Sequence, residues 1–151
     1  MKVSERFIYS SLVIAIAGGL VGLSHGPVIY QPVSPNNLVE VRTGDWPISL
    51  ETVRENSHTA YYLEFRDQQV VRAVVMDTLP FPDLTQLKYF GKALSALKEG
   101  TNGDIARFKD YTITRAEKKY EGTWFLLKYQ WGSTDFKQPE ADILINTIKG
   151  M

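Results

Sequence analysis

Cysteine is absent from the 151 residues. That excludes disulfides, thiolate catalysis, cysteine metal sites and a lipid-modified cysteine anchor. Histidine is nearly absent too: only His25 and His58 occur. Neither has a His, Cys or Asp neighbour at a ligand spacing such as i, i+4, so no metal site is assigned. Each reads as a surface or interfacial residue, with pH sensing as the one switch an imidazole offers near neutrality. Ser57 precedes His58, but a nucleophile and base must meet in space with a third orienting group, and no G-x-S-x-G is present. No catalytic residue and no cofactor are assigned.

Charge of one sign is also missing. Seventeen basic and seventeen acidic residues cancel, leaving no overall electrostatic footprint for nucleic acid or an anionic membrane surface. Arg115, Lys118 and Lys119 alternate with Glu117 and Glu121, which reads as a solvated turn. The glycines lack the lysine of a P-loop. No Asn-x-Ser/Thr sequon occurs, so glycosylation gives no clue to location. Any two of the seventeen acids could pair for glycoside chemistry, but nothing singles out a pair.

What is present begins with residues 7–23, FIYSSLVIAIAGGLVGL, seventeen residues without a charge. As a helix this run is about 26 Å long, just short of a hydrocarbon core of about 30 Å. It has no polar face for water, which a surface helix of a globular domain requires. A cleavable signal peptide is the main rival: Gly22-Leu23-Ser24 has small residues at alternate positions, but no Ala-x-Ala follows and Glu5 dilutes the n-region. The expected organisation is a cytoplasmic terminus over 1–6, a transmembrane anchor over 7–25, a proline-rich stalk over 26–50, and an α+β domain over 51–151. Lys2 and Arg6 precede the run and no charged side chain follows until Glu40, so the positive-inside bias sends the domain to the periplasm or an equivalent outside compartment. Within the run, Ser11, Ala15 and Gly19 form one line of small residues and Gly18 and Gly22 the next. Such spacing lets another transmembrane helix approach closely.

Pro27, Pro32, Pro35 and Pro47 punctuate the stalk, and residues 38–43 alternate like an edge strand of this domain or of a neighbour. Residues 59–66 and 70–77 read as a hairpin around Asp67-Gln68-Gln69, with Pro80 and Pro82 ending it. Asp83 is a fitting N-cap for a helix over 84–98, whose stripe is Leu84, Leu87, Gly91, Leu94 and Leu97. Gly91 is expected to let that helix lie close on the sheet. Residues 105–118 and 123–131 form a second hairpin, and Gly132-Ser133-Thr134 breaks it. Pro139, Glu140 and Asp142 suit the start of a closing helix with the stripe Ala141, Leu144, Ile145 and Ile148. The fold class expected is α+β, a two-layer ββαββα domain with both helices on one face of an antiparallel sheet.

The strand faces carry the functional expectation. The core sets are Tyr61/Leu63/Phe65, Val71/Ala73/Val75 and Phe125/Leu127/Tyr129/Trp131. The opposite side holds Tyr62, Val74, Met76, Trp124 and Leu126 among charged residues, an apolar patch with a polar rim. These five are the candidate docking face, unless residues 24–58, with Trp46 and Ile48, fold back over them. The function expected is a non-catalytic, single-pass membrane accessory subunit of a multi-subunit membrane complex. Its partners are other membrane-protein subunits and the lipid bilayer, with no nucleic acid and no small-molecule ligand. The alternatives are a tethered ligand-binding domain, with Tyr61, Tyr89, Tyr111 or Tyr129 lining a pocket, and a tethered hydrolase with two perturbed acids in a cleft.

Overall fold

A computed structural model describes residues 36–43, 46–55, 57–130 and 132–151. The anchor residues Ser11, Ala15, Gly18, Gly19 and Gly22 lie outside the described residues. Among the described residues, no helix is long and apolar enough to cross a membrane.

The fold is α+β, with two four-stranded antiparallel sheets and two helices. The first meander contains β1 (Asn36–Thr43), β2 (Trp46–Glu55), β3 (His58–Arg66) and β4 (Met76–Phe81), followed by α1 (Leu84–Lys98). The second contains β5 (Ile105–Arg107), β6 (Tyr111–Lys118), β7 (Gly122–Tyr129) and β8 (Gly132–Lys137), followed by α2 (Gln138–Lys149). Strand order in each sheet equals chain order. The chain is therefore ββββαββββα, which corrects the single-sheet ββαββα expectation.

Three local causes account for the difference. Residues 36–50, expected as stalk, carry β1 and the start of β2, where Val41 faces Ile48 and Leu50 faces Leu63 across the ladders. Pro47 is tolerated near the start of β2 because pairing of β2 with β3 begins only at Ser49. Second, 70–75 is not a strand despite its β-branched residues: Val71 is 87% exposed, and β3 pairs instead with Met76–Phe81. That register brings Leu79 and Phe81 inward beside Leu63 and Tyr61, burying more apolar surface than 70–75 would. Pro80 fits because β4 is an edge strand. Third, Gly132-Ser133-Thr134 continues as β8, and Leu127 faces Thr134.

The two inner faces and both helices share one core. Ile48, Leu50, Leu63 and Phe65 of the first sheet and Ile113, Phe125, Leu127 and Phe136 of the second belong to one buried cluster. Each helix touches both sheets: α1 packs on β3, β4, β5 and β6, and α2 on β1, β7 and β8. Asp83 caps α1, its Oδ1 accepting from the Gln86 N–H at 2.9 Å. The buried stripe of α1 is Leu87, Phe90, Gly91, Leu94 and Leu97, and that of α2 is Ala141, Leu144, Ile145 and Ile148. Gly91 serves the helix pair, not the sheet: a Cβ there would stand 3.0 Å from Ile148 Cγ2. Lys98 of α1 reaches Asp142 of α2 at 2.7 Å.

Two polar features join the halves. Arg115, buried on β6, donates from Nη1 to the carbonyls of Leu97 (3.0 Å) and Lys98, and from Nη2 to Glu117 at 2.6 Å. It thereby adds side-chain donors to the carbonyls at the end of α1, where Leu97 also accepts from the Gly100 N–H. Asp67, fully buried, accepts at Oδ1 from the Ser133 N–H at 3.1 Å, while the Gln68 N–H donates to the Ser133 carbonyl. The β3–β4 connection is thus fastened to β8. Gly132 faces both Asp67 and Asp77, where a Cβ would stand 2.9 Å from Asp67 Cγ and overlap the Asp77 carboxylate.

Candidate functional site

Two sheets have two outer faces, and the five residues of the expected docking face divide between them. Tyr62 and Met76 lie on the first sheet, Trp124 and Leu126 on the second, and Val74 in the β3–β4 connection, 48% exposed. They form no single patch. Ile48 lies on the inner side of β2, buried.

The outer face of the second sheet follows from its register. Phe125 and Leu127 point inward, so Trp124, Leu126 and Lys128 point out. Trp124 stands opposite Ala116 on β6 and Lys137 on β8, and Leu126 opposite Thr114 and Asp135. Yet Trp124 is only 8% exposed. Its cover comes from its own sheet: Lys118 Nζ stands 3.6 Å from the ring centroid and Lys137 Nζ 5.1 Å. Both distances are in cation–π range. Lys118 continues across the ring toward Asp135, Nζ to Oδ2 at 3.7 Å. The ammonium groups themselves stand over the indole, and the Lys118 side chain remains partly exposed. The indole N–H is buried without a hydrogen-bond partner.

Arg107 and Lys128 complete this face, and Ile105 is 44% exposed on its β5 edge. Four cations, Arg107, Lys118, Lys128 and Lys137, therefore stand against one carboxylate, Asp135. The neutral composition hides a positively charged surface.

The outer face of the first sheet is different. Glu40, Glu51 and Glu64 share it with Arg42 and Arg66, and Arg42 pairs with Glu40 at 3.3 Å. Burial pushes the Glu64 carboxyl above the ordinary carboxylate value. Glu51 is raised by burial and then by the neighbouring Glu64 charge. Two carboxylates that resist ionisation side by side are an electrostatic feature that the sequence did not single out.

The remaining expected residues do not converge. Ser57 and His58 are exposed at the start of β3. Tyr89 is 49% exposed on α1. Tyr111 stacks on Phe108 at 4.3 Å and meets Phe81 and Phe90 near 6 Å; burial raises its hydroxyl pKa. A polar recess of about 570 Å³ at the β6–β7 turn is lined by Asn102, Glu117, Lys118, Lys119, Gly122 and Thr123, with none of these tyrosines. Among the described residues, no three His, Asp or Glu side chains are placed to hold a metal ion. Lys118 and Lys137 as the cover of Trp124 were missed because β8 was not recognised; pairing 132–137 with β7 would have placed Lys137 beside it. No protein-family model matches the chain, and no match is found among curated proteins or solved structures.

Proposed function

We propose that this protein is a single-pass membrane accessory subunit with no chemistry of its own. In this reading it is held by an N-terminal transmembrane helix over 7–25 and displays its α+β domain on the extracytoplasmic side. The observation that carries the proposal is the seventeen-residue uncharged run at 7–23, with Lys2 and Arg6 before it and no charged side chain after it until Glu40. The small residues Ser11, Ala15, Gly18, Gly19 and Gly22 give that helix a side on which neighbouring helices pack.

The domain supplies one surface for such an assembly. Val71, 87% exposed, and Val74, 48% exposed, lie on the β3–β4 connection just before Met76 at the start of β4. Exposed apolar side chains with a polar rim mark interaction surfaces, and this connection suits a partner subunit. Extraction in a mild detergent followed by native mass measurement tests the proposal. Co-migration with large membrane proteins is the expected result. A lone monomer of 17.1 kDa would remove the assembly, and recovery without detergent would remove the anchor.

A further inference from the structure

We propose that the outer face of the second sheet rests on anionic phospholipid headgroups, an inference that stands on the reading of residues 7–23 as a membrane anchor. Arg107, Lys118, Lys128 and Lys137 line this face against Asp135 alone, within a chain of zero formal charge. Twelve residues, 24–35, separate the uncharged run from β1, and fully extended they reach about 40 Å. A domain on so short a leash meets headgroups at high effective concentration, so it settles with its most favourable face toward them. The first sheet sets Glu40, Glu51 and Glu64 against Arg42 and Arg66 and offers an anionic surface no net attraction. The second is drawn to it. An acidic protein surface would also match these cations, but the tether length favours the bilayer, which is always within reach.

Trp124 gives the contact its second element. Its ring is more than nine-tenths buried under Lys118 and Lys137, and its N–H lacks a partner. Phosphate oxygens draw both ammonium groups into charge-assisted hydrogen bonds. The indole is then uncovered at the depth where tryptophan is favoured, with its ring toward the acyl boundary and its N–H toward headgroup oxygens. Leu126 adds apolar area two residues along β7, and the exposed Ile105 lies beyond Thr114 on the β5 edge.

The test uses the full chain with Trp46→Phe and Trp131→Phe, so that Trp124 is the only tryptophan. It is placed in nanodiscs of phosphatidylcholine, or of phosphatidylcholine and phosphatidylglycerol in equal parts, both carrying a headgroup spin label. Stronger quenching in the anionic discs, reduced by high salt, is the expected result. Each cation near an anionic surface strengthens attachment about fivefold, so Arg107→Gln with Lys128→Gln should lower the bound-to-unbound ratio on the order of 25-fold. As a check independent of the tryptophan substitutions, amide exchange in β7 and β8 of the unaltered chain should slow in anionic discs only. Equal quenching and equal exchange in both lipids, or no response to salt and to the double substitution, would overturn the proposal in favour of an acidic protein surface. A chain that does not stay with the discs at all overturns the anchor and this inference together.

Discussion

The two halves of the domain repeat one order of elements and differ on their outer faces. Inside they are alike: Phe65 on β3 and Phe125 on β7 are both fully buried in a single cluster. Outside, the first sheet carries carboxylates held short of easy ionisation, Glu51 and Glu64. The second carries lysines laid across a tryptophan. A shared inner face means that the halves stabilise each other, whereas the unlike outer faces give them different electrostatic surfaces. Zero net charge is compatible with both, because composition sums over faces that the fold keeps apart.

The strongest way to break the likeness is at its core. Phe65→Ala and Phe125→Ala should each cost about 3–5 kcal/mol in chemical denaturation, with one cooperative transition in either variant. Two separate transitions would mean that the halves fold independently. Next comes the link at the end of α1. Arg115→Ala removes the donors to Leu97 and Lys98 and should cost about 2–3 kcal/mol. Arg115→Lys should recover only part, since one ammonium lacks the fork that serves two carbonyls and Glu117.

Gly132→Ala pushes a Cβ into Asp67 and Asp77 and should cost about 1–3 kcal/mol, read as a shift in denaturation midpoint. At the outer face, Lys118→Ala removes one cation from Trp124 and should cost about 0.5–1 kcal/mol. With Trp46 and Trp131 replaced by Phe, the same change should shift Trp124 emission to the red as water reaches the ring. An unshifted spectrum would mean that Lys137 alone covers it.

The smallest effect concerns pH and sharpens the contrast most. Burial holds the folded-state carboxyl of Glu64 above its reference value of 4.5, so the folded chain binds more protons there than the unfolded one. The associated stability is complete below 4.5 and is lost as the pH rises through the raised value. Glu64→Gln should therefore raise Tm at neutral pH relative to the unaltered chain, with the gain shrinking as the pH falls toward 4.5. No equivalent gain is expected for Asp135→Asn on the second sheet, which loses the charge that faces Lys118.

Elements with strong local signals were legible in the sequence. Asp83 and the 3.6-residue spacing of Leu87, Leu94 and Leu97 define α1 from 84 to 98. Pro139 and the stripe Ala141–Leu144–Ile145–Ile148 define α2. The inner sets Leu63/Phe65 and Phe125/Leu127 stand out by alternation. The strands that depend on their neighbours were not legible. Residues 70–75 have the composition of a strand, but pairing rewards burial, and Leu79 and Phe81 bury better. Residues 132–137 are small and polar, yet they pair because β7 is already in place. The docking face was read as one patch because a single sheet was assumed, and a lysine cover across strands over Trp124 is a tertiary feature.

Whether the chain stays in the membrane intact is tested most directly by washing membranes with alkaline carbonate and weighing the retained protein. The expected result is a pelleted polypeptide that retains residues 7–23. A polypeptide beginning near His25, or protein released into the wash, would contradict it.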